Sequence, residues 1–124
     1  MIRARALRLD EPLSLWGGMD AASGRIIDAH HPQRGVSLTG RVVVMRSGRG
    51  SSSSASVLAE AVRAGTAPAA FVMAEPDLIL EIGSAVAEEL YGVRVPVVVR
   101  SPAELARINA SEELTFDGEE LALD

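Results

Sequence analysis

Residues 40–73 read GRVVVMRSGRGSSSSASVLAEAVRAGTAPAAFVM, which spells strand, turn, helix, strand. Val42–Met45 is a continuous apolar run between glycines, the pattern of a strand buried on both faces. From about Ser53 to Ala64 the period becomes helical: Val57, Leu58, Ala61 and Val62 form one apolar stripe, while Glu60 and Arg63 face outward. A serine can serve as N-cap, without a capping box, because the residue three before Glu60 is Val57. Gly65 stands where the C′ residue of a helix belongs, and Pro68 follows. Ala69–Met73 is a second buried strand. The unit is therefore βαβ, with parallel strands joined by a right-handed crossover.

The flanks extend this frame. Ile2, Ala4, Ala6 and Arg8 alternate with Arg3, Arg5, Leu7 and Leu9, which fits an edge strand with charged residues toward solvent. Leu13 to Gly35 is a glycine-rich connection with a brief apolar strand at Ile26–Ile27, and its length marks it as functional. After Ala69–Met73, Glu75-Pro76-Asp77 breaks the strand. Leu78 to Leu90 is expected to open as a short apolar stretch and turn helical after Gly83, ending at Tyr91-Gly92. Val95–Val99 is a third buried strand, and a short helix begins at Ser101 or Pro102. Asp117-Gly118 between two alternating runs signals a hairpin. The expected class is α/β, with residues 1–124 forming a single domain.

Composition narrows the function. A chain of 124 residues with 48% apolar and 3% aromatic residues builds its core from Val, Ile, Leu and Ala. The net charge is −5, and every cation is an arginine. An acidic, ring-poor chain lacks the basic stripes and stacking platforms that nucleic acid requires. A local arginine site for a small anion is still open. With no cysteine, the chain forms no disulfide, offers no thiolate nucleophile and cannot supply Cys ligands to zinc or an iron–sulfur cluster. The basic N-terminus meets Asp10 and Glu11 before any apolar segment of a signal peptide forms. No apolar run reaches about 18 residues, so no membrane span is expected and the cytoplasm is the expected compartment.

The chemistry concentrates in Ser47-Gly48-Arg49-Gly50-Ser51-Ser52-Ser53-Ser54, between a buried strand and a helix. Glycines let a ligand approach the main chain, and serine hydroxyls with free N–H groups at a helix start can hold an anion. Arg49 could add a bidentate contact. The alternative is a turn plus an N-cap. The loop is neither a Walker A motif nor a dinucleotide fingerprint. His30-His31 is a weak metal candidate, since neighbours on a strand face opposite ways and no further histidine exists. A role in lining a pocket and simple solvent exposure both stay open for them. Asp20 reads as an Asx-type turn residue. Trp16, the single tryptophan, is expected to anchor a core or an interface.

Three further segments join the serine loop in one constellation: PLSLWGGMDAASGRIIDAHHP from Pro12, RAGTAPAA from Arg63 and AEELYGVRVPVVV from Ala87. Together with GRVVVMRSGRGSSSS from Gly40, they resemble the aconitase X swivelling domain over about residues 9 to 100. The resemblance implies a swivelling β/β/α domain like the mobile domain of aconitases. It implies a hydro-lyase small subunit, inactive alone and completed by an aconitase X-type large subunit carrying the iron–sulfur cluster, with no cofactor or metal bound by this chain. Ser51 falls on the family's proton acceptor, and Gly48, Arg49, Gly50, Ser52 and Ser53 would hold a small anionic substrate. Family members dehydrate phosphomevalonate or cis-3-hydroxy-L-proline. The His-His-Pro loop and the four-serine run lean toward the bacterial-type members that act on hydroxyproline, whereas a phosphate would call on Arg25, Arg34 or Arg46. The rival reading is a non-catalytic anion-binding or regulatory module using the Gly-Arg-Gly-Ser loop.

Overall fold

The computed structural model describes residues 2–48, 52–117 and 120–122. Its six strands lie in the order β4-β3-β2-β1-β5-β6. β1 (Ile2–Arg8), β2 (Val42–Met45), β3 (Ala70–Met73) and β4 (Val97–Val99) are parallel. β5 (Glu113–Asp117) pairs antiparallel with β1, and β6 (Glu120–Ala122) with β5.

The valine runs are strands because both sheet faces are covered. Val43 and Met45 join Leu7, Phe71 and Met73 on the face packed by α2 (Ser54–Ala64) and α3 (Leu78–Tyr91). Val42 and Val44 join Ala6, Ala70 and Val72 on the other, closed by Leu105 of α4 (Pro102–Ala106), by Ile108 and by Leu114 and Phe116. The chain's two phenylalanines thus serve opposite faces, and both are fully buried.

β1 is not an edge strand; it lies between β2 and β5. Its alternation is as expected, but the hairpin at the C-terminal end supplies the second neighbour. Arg8, on the same side as the buried Ala6, is used rather than solvated. Its Nη1 donates to the carbonyls of Ile108 at 2.6 Å and Leu105 at 3.3 Å. The guanidinium thus adds a second donor to the Leu105 carbonyl, which also accepts the Ile108 N–H at 3.1 Å, and holds the Ile108 carbonyl just beyond α4. α4 itself begins with a capping box formed by Ser101 and Glu104.

α2 follows the expected stripe and stops at Gly65, whose φ of 78° is left-handed. Arg63 bonds Glu60 on its exposed face and holds that carboxyl below its ordinary value, chiefly through the hydrogen bond. α3, by contrast, is helical from Leu78, with Gly83 in its interior. The expected start after Gly83 is wrong because α3 is apolar on two sides. Leu80, Gly83, Ser84 and Ala87 are buried, yet Leu78, Ile82, Val86 and Leu90 are exposed at four-residue intervals, which blurs the helical period. Asp77 starts the helix, its Oδ1 accepting the Leu80 N–H at 3.0 Å.

Gly83 is where α3 approaches α2. A Cβ there would lie 3.0 Å from both Cα and O of Ala55. Glycine to alanine in a helix interior ordinarily stabilises by about 0.5–1 kcal/mol. Gly83→Ala is expected to destabilise by about 1 kcal/mol instead, since main-chain atoms must yield. Urea denaturation decides the sign, and a stabilised variant would refute the close contact.

Candidate active site

In a sheet whose central strands run parallel, the segments leaving their carboxyl ends converge on one edge, where α/β folds place their ligands. Here these are the segment after β1 (Leu9 onward), the serine loop after β2 and Glu75–Asp77 after β3. Leu13 forms a parallel bridge with Gly48. Gly48 in turn faces Asp77: a Cβ on Gly48 would overlap Asp77 Oδ2, so a larger residue there would force that carboxylate to move. At the other end of the loop, Ser54 is 4% exposed. Its Oγ accepts the Trp16 N–H at 3.2 Å and stands 3.4 Å from Ser14 Oγ.

Among the expected site residues, Gly48 closes the strand end, Ser52 is exposed, and Ser53 is half-buried at the N-cap position of α2. A serine thus stands at the N-cap position as expected, but Ser53 has αR torsions and makes no side-chain cap hydrogen bond. Arg49, Gly50 and Ser51 lie outside the described residues. Arg46, two residues before Gly48, pairs with Glu75 at 3.8 Å, and Arg25 Nη1 donates to the Gly35 carbonyl at 2.8 Å.

Sequence reasoning missed Ser14 and Asp77, and included Ser54 in the loop without singling it out. Asp77 carried a signal, an aspartate opening an apolar run, which is the usual mark of a helix start. Ser54 carried none, because four serines in a row do not reveal which one is buried.

Leu15–Gly18 (α1) is a single turn rather than a helix proper. Trp16 (φ −71°, ψ 116°) and Gly17 (φ 77°, ψ −11°) have the torsions of the central residues of a type II turn. The Trp16 side chain is 60% exposed and anchors no core. The segment from Asp20 onward is ordered by local bonds. Asp20 accepts from the Ala22 N–H at 3.2 Å and the Ser23 hydroxyl at 2.8 Å, as an Asx turn requires. Ile26–Ile27 forms only an isolated bridge, Met19 to Ile26, not a strand. The histidines separate in role. His30 is exposed, and His31 is 6% exposed. The Gln33 N–H donates to His31 Nδ1 at 3.1 Å, so Nε2 carries the proton and donates to the Glu11 carbonyl at 3.0 Å. His31 is a structural tie, and no group of three or more His, Asp or Glu able to hold a metal ion occurs among the described residues. No helix among them is long and apolar enough to cross a membrane.

A parallel sheet with two helices on one face, an antiparallel hairpin on its far side and a glycine–serine loop at its carboxyl edge defines a small mixed α/β domain of swivel type. The chain belongs to the aconitase X swivel domain family, whose model matches residues 1–123. It is 49% identical over 85 residues to a cis-3-hydroxy-L-proline dehydratase of Pseudomonas aeruginosa, covering 68% of this chain and 15% of that protein. It is 34% identical over 120 residues to a phosphomevalonate dehydratase small subunit of Methanothermobacter thermautotrophicus, covering 95% of this chain and 86% of that subunit. The fold matches that of aconitase X from Thermococcus kodakaraensis with a TM-score of 0.79 at 23% identity, over 90% of this chain and 79% of that one. The chain spans only 15% and 18% of the length of the two cis-3-hydroxy-L-proline dehydratases it matches.

Proposed function

We propose that this chain is the small subunit of an aconitase X-type hydro-lyase and supplies a serine base to an active site shared with a large subunit. The likeness to a phosphomevalonate dehydratase small subunit along nearly the whole of both chains is the observation that most supports this reading. The bracketing of the serine loop at Gly48 and Ser54 adds to it, because a base must be carried on a fixed frame.

The chain has no cysteine, and its described residues offer no metal-binding cluster. Its own residues therefore do not fit an iron–sulfur cluster, which this reading assigns to the large subunit. The part of this chain is the proton. Ser51, as alkoxide, takes a proton from the carbon adjacent to the one bearing the hydroxyl. The C–H electron pair becomes the new double bond, and hydroxide departs. A serine hydroxyl is a poor base in water. The positive N-terminal end of the 11-residue α2 and the Arg49 guanidinium favour its anion. Swivelling of the domain over the substrate would exclude water as the site closes.

The substrate is cis-3-hydroxy-L-proline or phosphomevalonate. His31 is occupied in holding Glu11 and Gln33 and His30 is exposed, so the lean of the His-His-Pro loop toward hydroxyproline rests on its resemblance to the bacterial-type members. Co-expression with the large subunit and assay with both compounds tests the proposal. Turnover of one of them is expected in the complex, with little or none from this chain alone. An inactive complex, together with anion binding by the isolated chain, would favour a non-catalytic module instead.

A further inference from the structure

Residues 13–16 meet the serine loop at both ends, through the Leu13–Gly48 bridge and the Trp16 N–H to Ser54 Oγ bond of 3.2 Å. Ser54 is one of three buried polar side chains among the described residues. A buried hydroxyl that accepts a main-chain N–H from another segment ties the two together, because breaking the bond leaves a desolvated donor unpaired. The neighbouring glycines hold that N–H in place. Gly17 takes a φ of 77°, and a Cβ on Gly18 would come within 2.8 Å of Leu13 Cδ1. Ser54 Oγ also stands 3.4 Å from Ser14 Oγ, where either hydroxyl can donate to the other.

We propose that Ser54 is a positioning residue for the reaction. It straps residues 13–16 onto the first turn of α2, and so sets the span across which the loop carries Ser51. This rests on the assignment of Ser51 as the base. A base displaced by about 1 Å from a near-attack geometry loses up to about a hundredfold in rate, and one loosened strap is expected to cost about tenfold in kcat. KM should change less than kcat, although Arg49, Ser52 and Ser53 ride on the same loop, because proton transfer depends on distance more steeply than anion binding does.

Two measurements on Ser54→Ala and Ser54→Cys test this; cysteine fills the space but is a weak acceptor. In the complex with the large subunit, both variants are expected to lose kcat about tenfold with a smaller change in KM. In the full chain, Trp16 is the only tryptophan, and its amide is the group released. Its fluorescence anisotropy should fall, while circular dichroism reports an unchanged fold. An unaltered Trp16 signal in folded variants overturns the strap whatever the turnover. A released Trp16 with kcat within about twofold of wild type overturns the catalytic role. If the wild-type complex turns over neither substrate, the assignment of Ser51 fails and the catalytic role with it, while the fluorescence separately decides the strap.

Discussion

In the complex with its large subunit, the Ser51→Ala chain is expected to dehydrate substrate about 10²–10⁴-fold more slowly, the range typical for loss of a general base. The substitution removes one oxygen from an eight-residue loop of glycines, serines and one arginine. It leaves the two fixed ends, Gly48 under Asp77 and Ser54 on Trp16, as they were. Co-purification of the two subunits should therefore be unchanged, and the loss should appear in kcat, since a base acts on the transition state and adds little to ground-state binding. Near-normal turnover by the reconstituted variant would refute Ser51 as the base.

Phe71→Ala is expected to destabilise the fold by about 3–5 kcal/mol, as large-to-small changes at fully buried aromatics do. Phe71 has no exposed surface and pairs with Val43 on one side and Val97 on the other. It fills the face under α2 and α3, where the remaining core is Leu, Ile, Val, Ala and Met. Few side chains of comparable volume are available to collapse into the cavity. With domains typically stable by about 5–15 kcal/mol, the variant should lose about a fifth or more of its stability. A lower urea midpoint at constant slope would measure the loss. A change under about 1 kcal/mol would mean that β3 is not a central core strand.

Where the sequence was sufficient, the determining forces were local. A run of valines between glycines can be buried only as a strand covered on both faces. A stripe at helical spacing ended by Gly65 can be buried only as α2. These two facts, with the parallel strand that follows, defined the class and located the loop at the strand-to-helix turn. Periodicity is a property of neighbouring residues, and so it is written in the chain.

What the tertiary structure alone decided depends on residues far apart. Whether β1 is an edge or an interior strand was settled by a hairpin more than a hundred residues away, because strand pairing is a choice among distant partners. Gly83 looks like a helix start until Ala55 is found against it. Asp77 is a plain breaker until its carboxylate is seen covering Gly48 while capping α3. His31 and Ser54 have the composition of surface loop residues, and only their burial against Glu11 and Trp16 makes them ties. Hydrogen bonds of this kind are specified by the cost of leaving a buried donor or acceptor unpaired, and burial exists only once the whole chain has folded.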